Sequence, residues 1–524
     1  MLQLIHATID DLRSGLDRGE FSCVDLVKAY KARIKEVDDK FNAVIETTPE
    51  AETVANVLDR ELKASGPRGI LHGIPFLLKD NIPTLDGTES TAGSYVLLGS
   101  KPRKEADIVE RLRAAGAVIL GKANLAEFSG FRSTNGSTGW SPRGGQVTGP
   151  YYENQKVSGS SSGSGVAVSL GLCAASIGTQ TIFSIVNPSE RNCVVGLKPT
   201  TGLLPSAGLI PVSHQQDVVG PIARCVRGVV HILTALADPP PPDYSREYLS
   251  GYDGDTNLQF LQGVTTGVIH DPTEAGHPAK MAAFREAVRV LEWHSTRTTE
   301  PVHLGGLDEY TQLSQRDKDL VLNQDFRASM DEYLGSLAVH STTDALGNID
   351  SLGNIDSLHK LIEAIKQNPR EDYPHRNVAA MEEAADRTNF DADAYGKMQA
   401  FRERLRGKDG LESALRGYLC DVFITPTNSW ALSDFAAIGG NPQLVVPLGF
   451  YPDDTEVVVC PKSGLVTAAP GLPFGLFIFG RQYGEGELLR VARCLEEQTK
   501  VRLAGKPFLV PQTELPGVFA PKED

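Results

Sequence analysis

The chain has 524 residues, of which 41 % are hydrophobic and 22 % charged, ordinary globular usage that leaves room for a large core. Its formal net charge of −15 argues against nucleic acid or an anionic membrane as a partner, because those contacts need clustered Lys and Arg. Seven cysteines scattered from Cys23 to Cys494, without C-x-x-C spacing, fit a reducing compartment better than a disulfide framework or a zinc site.

The first residues, MLQLIHATIDDLRSG, show neither a secretory nor an Arg-rich transit pattern, so a cytoplasmic location is expected. The most apolar long stretch, 164–178, is too short and too rich in Gly and Ser to span a bilayer. Thr8-Ile-Asp-Asp11 forms a capping box, in which a hydroxyl and a carboxylate three residues on satisfy each other's backbone N–H groups, and Leu12 and Leu16 follow at helical spacing. Ser22-Cys-Val-Asp25 repeats the signal, and Leu26, Val27, Tyr30, Ile34 and Val37 make one apolar face. A third helix is predicted over about 49–63.

The apolar run Gly73-Ile-Pro-Phe-Leu-Leu78 reads as a buried strand that ends in Lys79-Asp80-Asn81. A helix over 106–115 precedes a strand over 117–120, and Asn124 is placed as the cap of a further helix. This alternation predicts an α/β fold, with a large mixed but mostly parallel central sheet flanked by helices on both faces. Residues 158–165 read as an irregular Gly/Ser loop and 166–173 as a helix. A helix over 227–237 is ended by Pro239 to Pro242, which marks a boundary. Leu346-Gly-Asn-Ile-Asp-Ser351 is copied at once in 352–357, the mark of a tolerant surface loop. The runs 422–424, 443–447 and 476–479 read as strands returning to the sheet, and 485–498 as a helix. Length alone suggests about three or four domains. Sheets of this class reach such a size in one unit, however, and the chain is read as a single domain over 1–524. Its parts are N-terminal helices (1–66), a core (67–238), a variable substrate-side half (239–420) and a C-terminal return to the sheet (421–524).

Three segments carry the chemistry. They are Lys79 at a strand end, Gly159-Ser160-Ser161-Ser162-Gly163, and Gly178-Thr-Gln-Thr-Ile-Phe-Ser184 running on through Val195-Gly-Leu-Lys-Pro-Thr200. Taken singly, each has a bland reading as a strand-ending surface lysine, a flexible loop or an ordinary serine. Two competing motifs fail. Gly159 to Gly163 matches G-x-S-x-G with Ser161 central, but that elbow needs a strand before it and 147–156 is turn-rich. Gly116 to Lys122 resembles a phosphate loop but continues with Ala123 instead of the magnesium-binding hydroxyl. Glu127 and Lys198 read as structural ion pairs or surface charges. Trp430 and the turn Thr425-Pro-Thr-Asn-Ser429 are candidates either for the pocket lining or for the core.

In order and spacing, Gly73 to Asn81, Gly121-Lys-Ala-Asn-Leu-Ala-Glu127 and residues 158–200 together resemble the amidase signature family. The likeness runs on to Gly471-Leu-Pro-Phe-Gly-Leu-Phe-Ile-Phe-Gly480, and Asn135 to Gly145 looks most like the fungal amidases of that family. Ser160 and Ser184 stand 24 positions apart, the separation kept by the family's two serines. The resemblance implies a Ser-Ser-Lys hydrolase of small or medium linear amides that works through an acyl-enzyme. Ser184 would be the nucleophile, Ser160 a relay on a cis peptide bond and Lys79 the base. The N–H groups of Thr181, Ile182, Phe183 and Ser184 would form the oxyanion hole. The types make chemical sense, since a serine needs a base beside it and a lysine serves as one only where burial lowers its pKa. No metal or cofactor is implied. The expected partner is a small-molecule amide, with no nucleic acid and no membrane, and a homodimer is admitted.

One departure stands out. Most members have Gly-Gly-Ser or Asp-Gly-Ser at the nucleophile, and this chain has Ile182-Phe183-Ser184. It motivates a second reading, a non-catalytic or repurposed member of the fold. A third is the ammonia-supplying component of an amidotransferase. The substrate pocket is expected mainly from the variable part, within 238–425.

Overall fold

A computed structural model describes residues 2–237, 261, 263–269, 277–294, 297–341, 354–386 and 391–515. Both capping boxes form. Thr8 Oγ1 accepts from the Asp11 N–H at 3.1 Å while the Asp11 carboxylate accepts from the Thr8 N–H at 2.9 Å, opening the helix Ile9–Asp17. Ser22 and Asp25 do the same for Cys23–Phe41. Ala51–Ser65, Asp107–Ala114, Val226–Leu236 and Glu485–Thr499 form close to where periodicity places them.

The strands in chain order are β1 Val44–Thr47, β2 Pro75–Lys79, β3 Val118–Ala123, β4 Trp140–Ser141, β5 Gly145–Gln146, β6 Ala175–Gln180, β7 Val195–Lys198 and β8 Val218–Ala223. They continue as β9 Thr265–Ile269, β10 Arg297–Val302, β11 Val422–Thr425, β12 Gln443–Phe450, β13 Val458–Val459, β14 Val466–Ala468 and β15 Pro473–Gly480. Eleven make one sheet in the order β1-β3-β2-β6-β8-β7-β12-β15-β11-β9-β10. The α/β class and the mixed sheet are as expected, but the parallel share is smaller. Parallel pairing joins β3, β2 and β6 on one side and β11, β9 and β10 on the other. From β6 through β8, β7, β12 and β15 to β11, every pair is antiparallel. Strand direction follows from connections that local hydrophobicity does not report.

Helices cover both faces, and strand alternation shows it. Val422, Ile424, Leu444, Val446, Leu476 and Ile478 point into one buried cluster. Their neighbours Phe423, Val445, Phe477 and Phe479 point into another. A third cluster lies where Gln315–Ser336, Leu358–Gln367 and Ala379–Ala385 pack over the signature segment, with Leu322, Phe326, Leu361 and Met381 beside Phe128 and Ile182. Polar residues dilute the helical spacing of Gln315–Ser336, whereas Leu358, Leu361, Ile362 and Ile365 repeat at helical spacing, a signal left out of the expected elements.

The Gly/Ser run is more ordered than its composition suggests. The irregular part stops at Ser161, and a wholly buried helix spans Ser162–Leu170. A β-carbon on Gly163 would lie 2.2 Å from the Ala43 carbonyl and 2.7 Å from the Asn124 backbone, so glycine is needed for close approach of the main chains. Asn124 caps no helix. Its amide donates to the carbonyls of Asn42 (2.8 Å) and Gly145 (3.3 Å), and only a 3₁₀ turn, Glu127–Gly130, follows. The Pro239 to Pro242 boundary and most of the 346–357 duplication lie outside the described residues. No helix among the described residues is long and apolar enough to cross a membrane.

Candidate active site

Lys79 closes β2, which lies between β3 and β6, and its side chain is 0 % exposed. The amine contacts Ser160 Oγ at 2.6 Å, Thr179 Oγ1 at 2.7 Å and the Thr179 carbonyl at 3.2 Å. Burial lowers its pKa from 10.5 to about 7, against the opposing pull of Asp217. A neutral amine in this setting can donate to the Thr179 oxygens and accept from the Ser160 hydroxyl.

A lowered pKa does not by itself single out Lys79. Burial brings Lys122 to about 8 and Lys198 to about 7. Lys198 donates to the carbonyls of Pro199 and Asn441, both at 3.0 Å, and Lys122 to the Ile82 carbonyl and Ser90. Of the three, only Lys79 meets a hydroxyl that lines a large cavity.

The Gly159–Ser160 peptide bond is cis. Ser161, the centre of the rejected elbow motif, is fully buried. Its hydroxyl donates to the Thr179 carbonyl at 3.1 Å, and its N–H donates to the Ser184 carbonyl at 3.1 Å. The second bond ties the Ser160 loop to the 181–184 turn. The Ser184 hydroxyl has no hydrogen bond to Ser160 among the described residues, although both serines line the same cavity.

The backbone of the turn accommodates Ile182 and Phe183. None of Thr181, Ile182, Phe183 and Ser184 takes a positive φ, so the backbone demands no glycine there. Gln180 holds the turn from within. Its carbonyl oxygen accepts from the N–H groups of Ile185 (2.8 Å) and Val186 (3.1 Å), and its amide donates to the Ile182 carbonyl (2.8 Å) and to Gln443 Oε1 (3.1 Å). Thr181 Oγ1 donates to Asp217 at 2.6 Å. The N–H groups of Ile182, Phe183 and Ser184 have no acceptor among the described residues. Ile182 packs in the apolar cluster with Leu322 and Phe326, and Phe183 lies against that cluster and the one beneath Phe435.

These groups form the floor of a cavity of about 420 Å³. Its walls come chiefly from 126–140, and not mainly from the variable half as expected; that half adds Gln315, Asp319, Leu322 and Glu383, and Trp430 comes from the C-terminal part.

The Amidase family profile matches residues 25–489. The chain belongs to the amidase family. A putative amidase of Arthroderma benhamiae is 34 % identical, over 99 % of this chain and 89 % of that protein. The native peptide amidase from Stenotrophomonas maltophilia superposes with a TM-score of 0.79 at 31 % identity, over 97 % of this chain and 99 % of that one. One component of the glutamyl-tRNA(Gln) amidotransferase of Alkaliphilus metalliredigens is 29 % identical, over 95 % of this chain and 97 % of that protein. Amide hydrolysis is the reaction class of the family, and this amidase is an amide hydrolase.

Other side chains of the amidase divide between roles that sequence reasoning offered, the Glu127 ion pair and Trp430 in the pocket lining, and roles that it misplaced or missed. Lys198 is no surface charge but a buried donor to two carbonyls. Glu127 is buried in an ion pair with Arg132 at 2.5 Å, and it lines the cavity. Burial pushes its carboxyl well above the usual range, and Glu371 beside it adds to the effect. Trp430 lines the cavity. Gln180 lay in plain view inside the signature. Arg132, Asp217, Asp319 and Glu383 carried no local signal, because each becomes part of the site only through packing.

Proposed function

We propose that this amidase cleaves the C–N bond of a small or medium amide through an acyl-enzyme, with Ser184 as nucleophile, Ser160 as relay and Lys79 as base. As Ser184 Oγ attacks the carbonyl carbon, its proton passes to Ser160, whose own proton passes to the neutral Lys79 amine. The oxyanion is received by the free N–H groups of Ile182, Phe183 and Ser184, with Thr181 completing the turn. Collapse of the tetrahedral intermediate breaks the C–N bond while the relay returns the proton to the leaving nitrogen. Water, activated along the same path, then releases the acid. Side chains and backbone of the chain itself carry every step, so the reading needs no cofactor.

The observation that carries this reading is the 2.6 Å contact between the buried Lys79 amine and Ser160 at the cavity floor. The missing Ser160 to Ser184 hydrogen bond is compatible with it, because catalytic hydrogen bonds commonly tighten only with substrate bound. The ordinary φ values of the turn favour catalysis over a repurposed fold. The seven free cysteines accord with a reducing, cytosolic setting. Greater likeness to a putative amidase than to the amidotransferase component supports a free-standing hydrolase, and co-purification with partner proteins would reverse that preference. The deciding experiment is labelling with a fluorophosphonate followed by peptide mass spectrometry. The adduct is expected on Ser184 and lost in Ser184→Ala, together with a fall in amide turnover of about 10⁴-fold or more. An adduct elsewhere, or turnover that survives the substitution, refutes the assignment.

A further inference from the structure

We propose that the cavity selects amides whose chain carries a protonated amine, held by Asp319 and Glu383. This rests on the amide-hydrolysis reading and adds the substrate class to it.

The charges in the cavity wall are Glu127, Arg132, Asp319 and Glu383. Arg132, the one cation of this wall among the described residues, is held through both terminal nitrogens, and only its buried Nε lacks an acceptor. Arg132 Nη1 donates to Glu127 (2.5 Å) and Glu371 (3.0 Å), and Nη2 donates to the main-chain carbonyls of Glu371 and Arg376. A substrate carboxylate would find no unpaired cation in this wall among the described residues and would meet the charges of Asp319 and Glu383, Glu127 being paired with Arg132. The acids, by contrast, have capacity to spare. Asp319 takes a single hydrogen bond, from Gln315 Nε2 at 2.9 Å, and neither Asp319 nor Glu383 makes an ion pair among the described residues. Burial pushes the Asp319 carboxyl up, and the nearby Glu383 adds to the shift, as two like charges waiting for a counter-charge would do. Glu127 is only 4 % exposed and bonded to Arg132, and its other oxygen and Arg132 Nε are both buried without a hydrogen-bond partner, so this pair leaves the recognition of charge to Asp319 and Glu383.

The placement suits a short chain. Asp319 lies one helical turn before Leu322, about 4.5 Å along the axis, and Leu322 shares an apolar cluster with Ile182, two residues before Ser184. Apolar surface from Leu322, Ile182, Phe183 and Trp430 is then available to the methylenes between an amide at Ser184 and an ammonium at the acids.

Three amides of one chain length test this: 5-aminopentanamide, hexanamide and adipamic acid, which end in ammonium, methyl and carboxylate. The expected order of kcat/KM is ammonium, then methyl, then carboxylate, with the first step at least about tenfold at low salt. In Asp319→Asn/Glu383→Gln the ammonium-to-methyl ratio falls to about one. A ratio near one in the parent protein, a preference for the carboxylate, or a preference that survives in the folded double variant overturns the proposal. Should the double variant fail to fold, Glu383→Gln at its exposed position carries the test. A ratio that falls about threefold or more supports the proposal, and an unchanged ratio sinks it. Should no amide be turned over, calorimetry with 5-aminopentanamide and hexanamide separates the two ideas. Preferential binding of the amine keeps the specificity while the hydrolase reading fails, and equal binding rejects it.

Discussion

Lys79 and Lys198 occupy matched settings and differ in what they touch. Each is the last residue of a strand, each is fully buried, and burial brings each to a pKa of about 7. Lys198 meets two main-chain carbonyls at 3.0 Å, which can only accept, and at 3.5 Å the Thr201 hydroxyl, which lies outside the cavity lining, so it ties β7 to the turn at Asn441. Lys79 meets a hydroxyl, which can accept or donate, and that hydroxyl lines a cavity. Burial therefore makes a lysine deprotonable, whereas the neighbour decides whether the free electron pair has anything to do.

Exchanging each lysine for methionine tests this most severely. Lys79→Met is expected to lower kcat/KM by about 10³-fold or more. Lys198→Met should leave kcat/KM within about threefold and instead cost about 1–3 kcal/mol of stability, because two buried carbonyls lose their donor. Equal losses of activity in steady-state assays would dissolve the distinction. A smaller effect is expected from Gln180→Leu, which removes the clamp on the turn of the proposed nucleophile. Activity should fall about 10–10²-fold, mainly in kcat, as expected when oxyanion donors lose their aim. A change confined to KM would count against that role.

The pH dependence separates the two lysines further. The parent kcat/KM should rise through an acid limb near pH 7, as the Lys79 amine loses its proton. Both lysines have folded pKa values below the unfolded one, so between about pH 7 and the ordinary 10.5 the folded chain holds fewer protons than the unfolded chain. Stability should therefore climb with pH across that window, by at most about 1.4 kcal/mol per unit for each lysine. Denaturation at several pH values should show a shallower climb in either methionine variant, while Lys198→Met keeps the acid limb of the rate. The mildest change is Ile182→Val. It should cost about 1 kcal/mol of packing and leave kcat/KM within about twofold, since the turn does not depend on that side chain's bulk. A large rate change on this substitution would mean that the turn is tuned by its side chains.

How much of this was legible in the sequence depended on how local each cause was. The helix starts at Thr8 and Ser22 were readable because a capping box closes within four residues. The buried end of β2 at Lys79 was readable from an unbroken apolar run. The antiparallel centre of the sheet was not, since direction is set by long connections. Asn124 has the residue type of a helix cap, but it spends its amide on Asn42 and Gly145, far away in sequence. Whether Ile182 and Phe183 were tolerable turned on φ, which their identity alone leaves open. Asp319 and Glu383 stand more than 130 residues beyond Ser184, and only the packing of their helices brings them to the cavity.

The fit at Gly163 also bears on how such a protein can diversify. A stretch rich in Gly and Ser is commonly masked as low-complexity filler, yet here two main chains close around it too tightly to admit one methyl group. A random library would meet a dense run of dead clones in this segment and a permissive field in the polar helices that wall the cavity. Descendants of this chain are thus free to change what they hydrolyse long before they can change how.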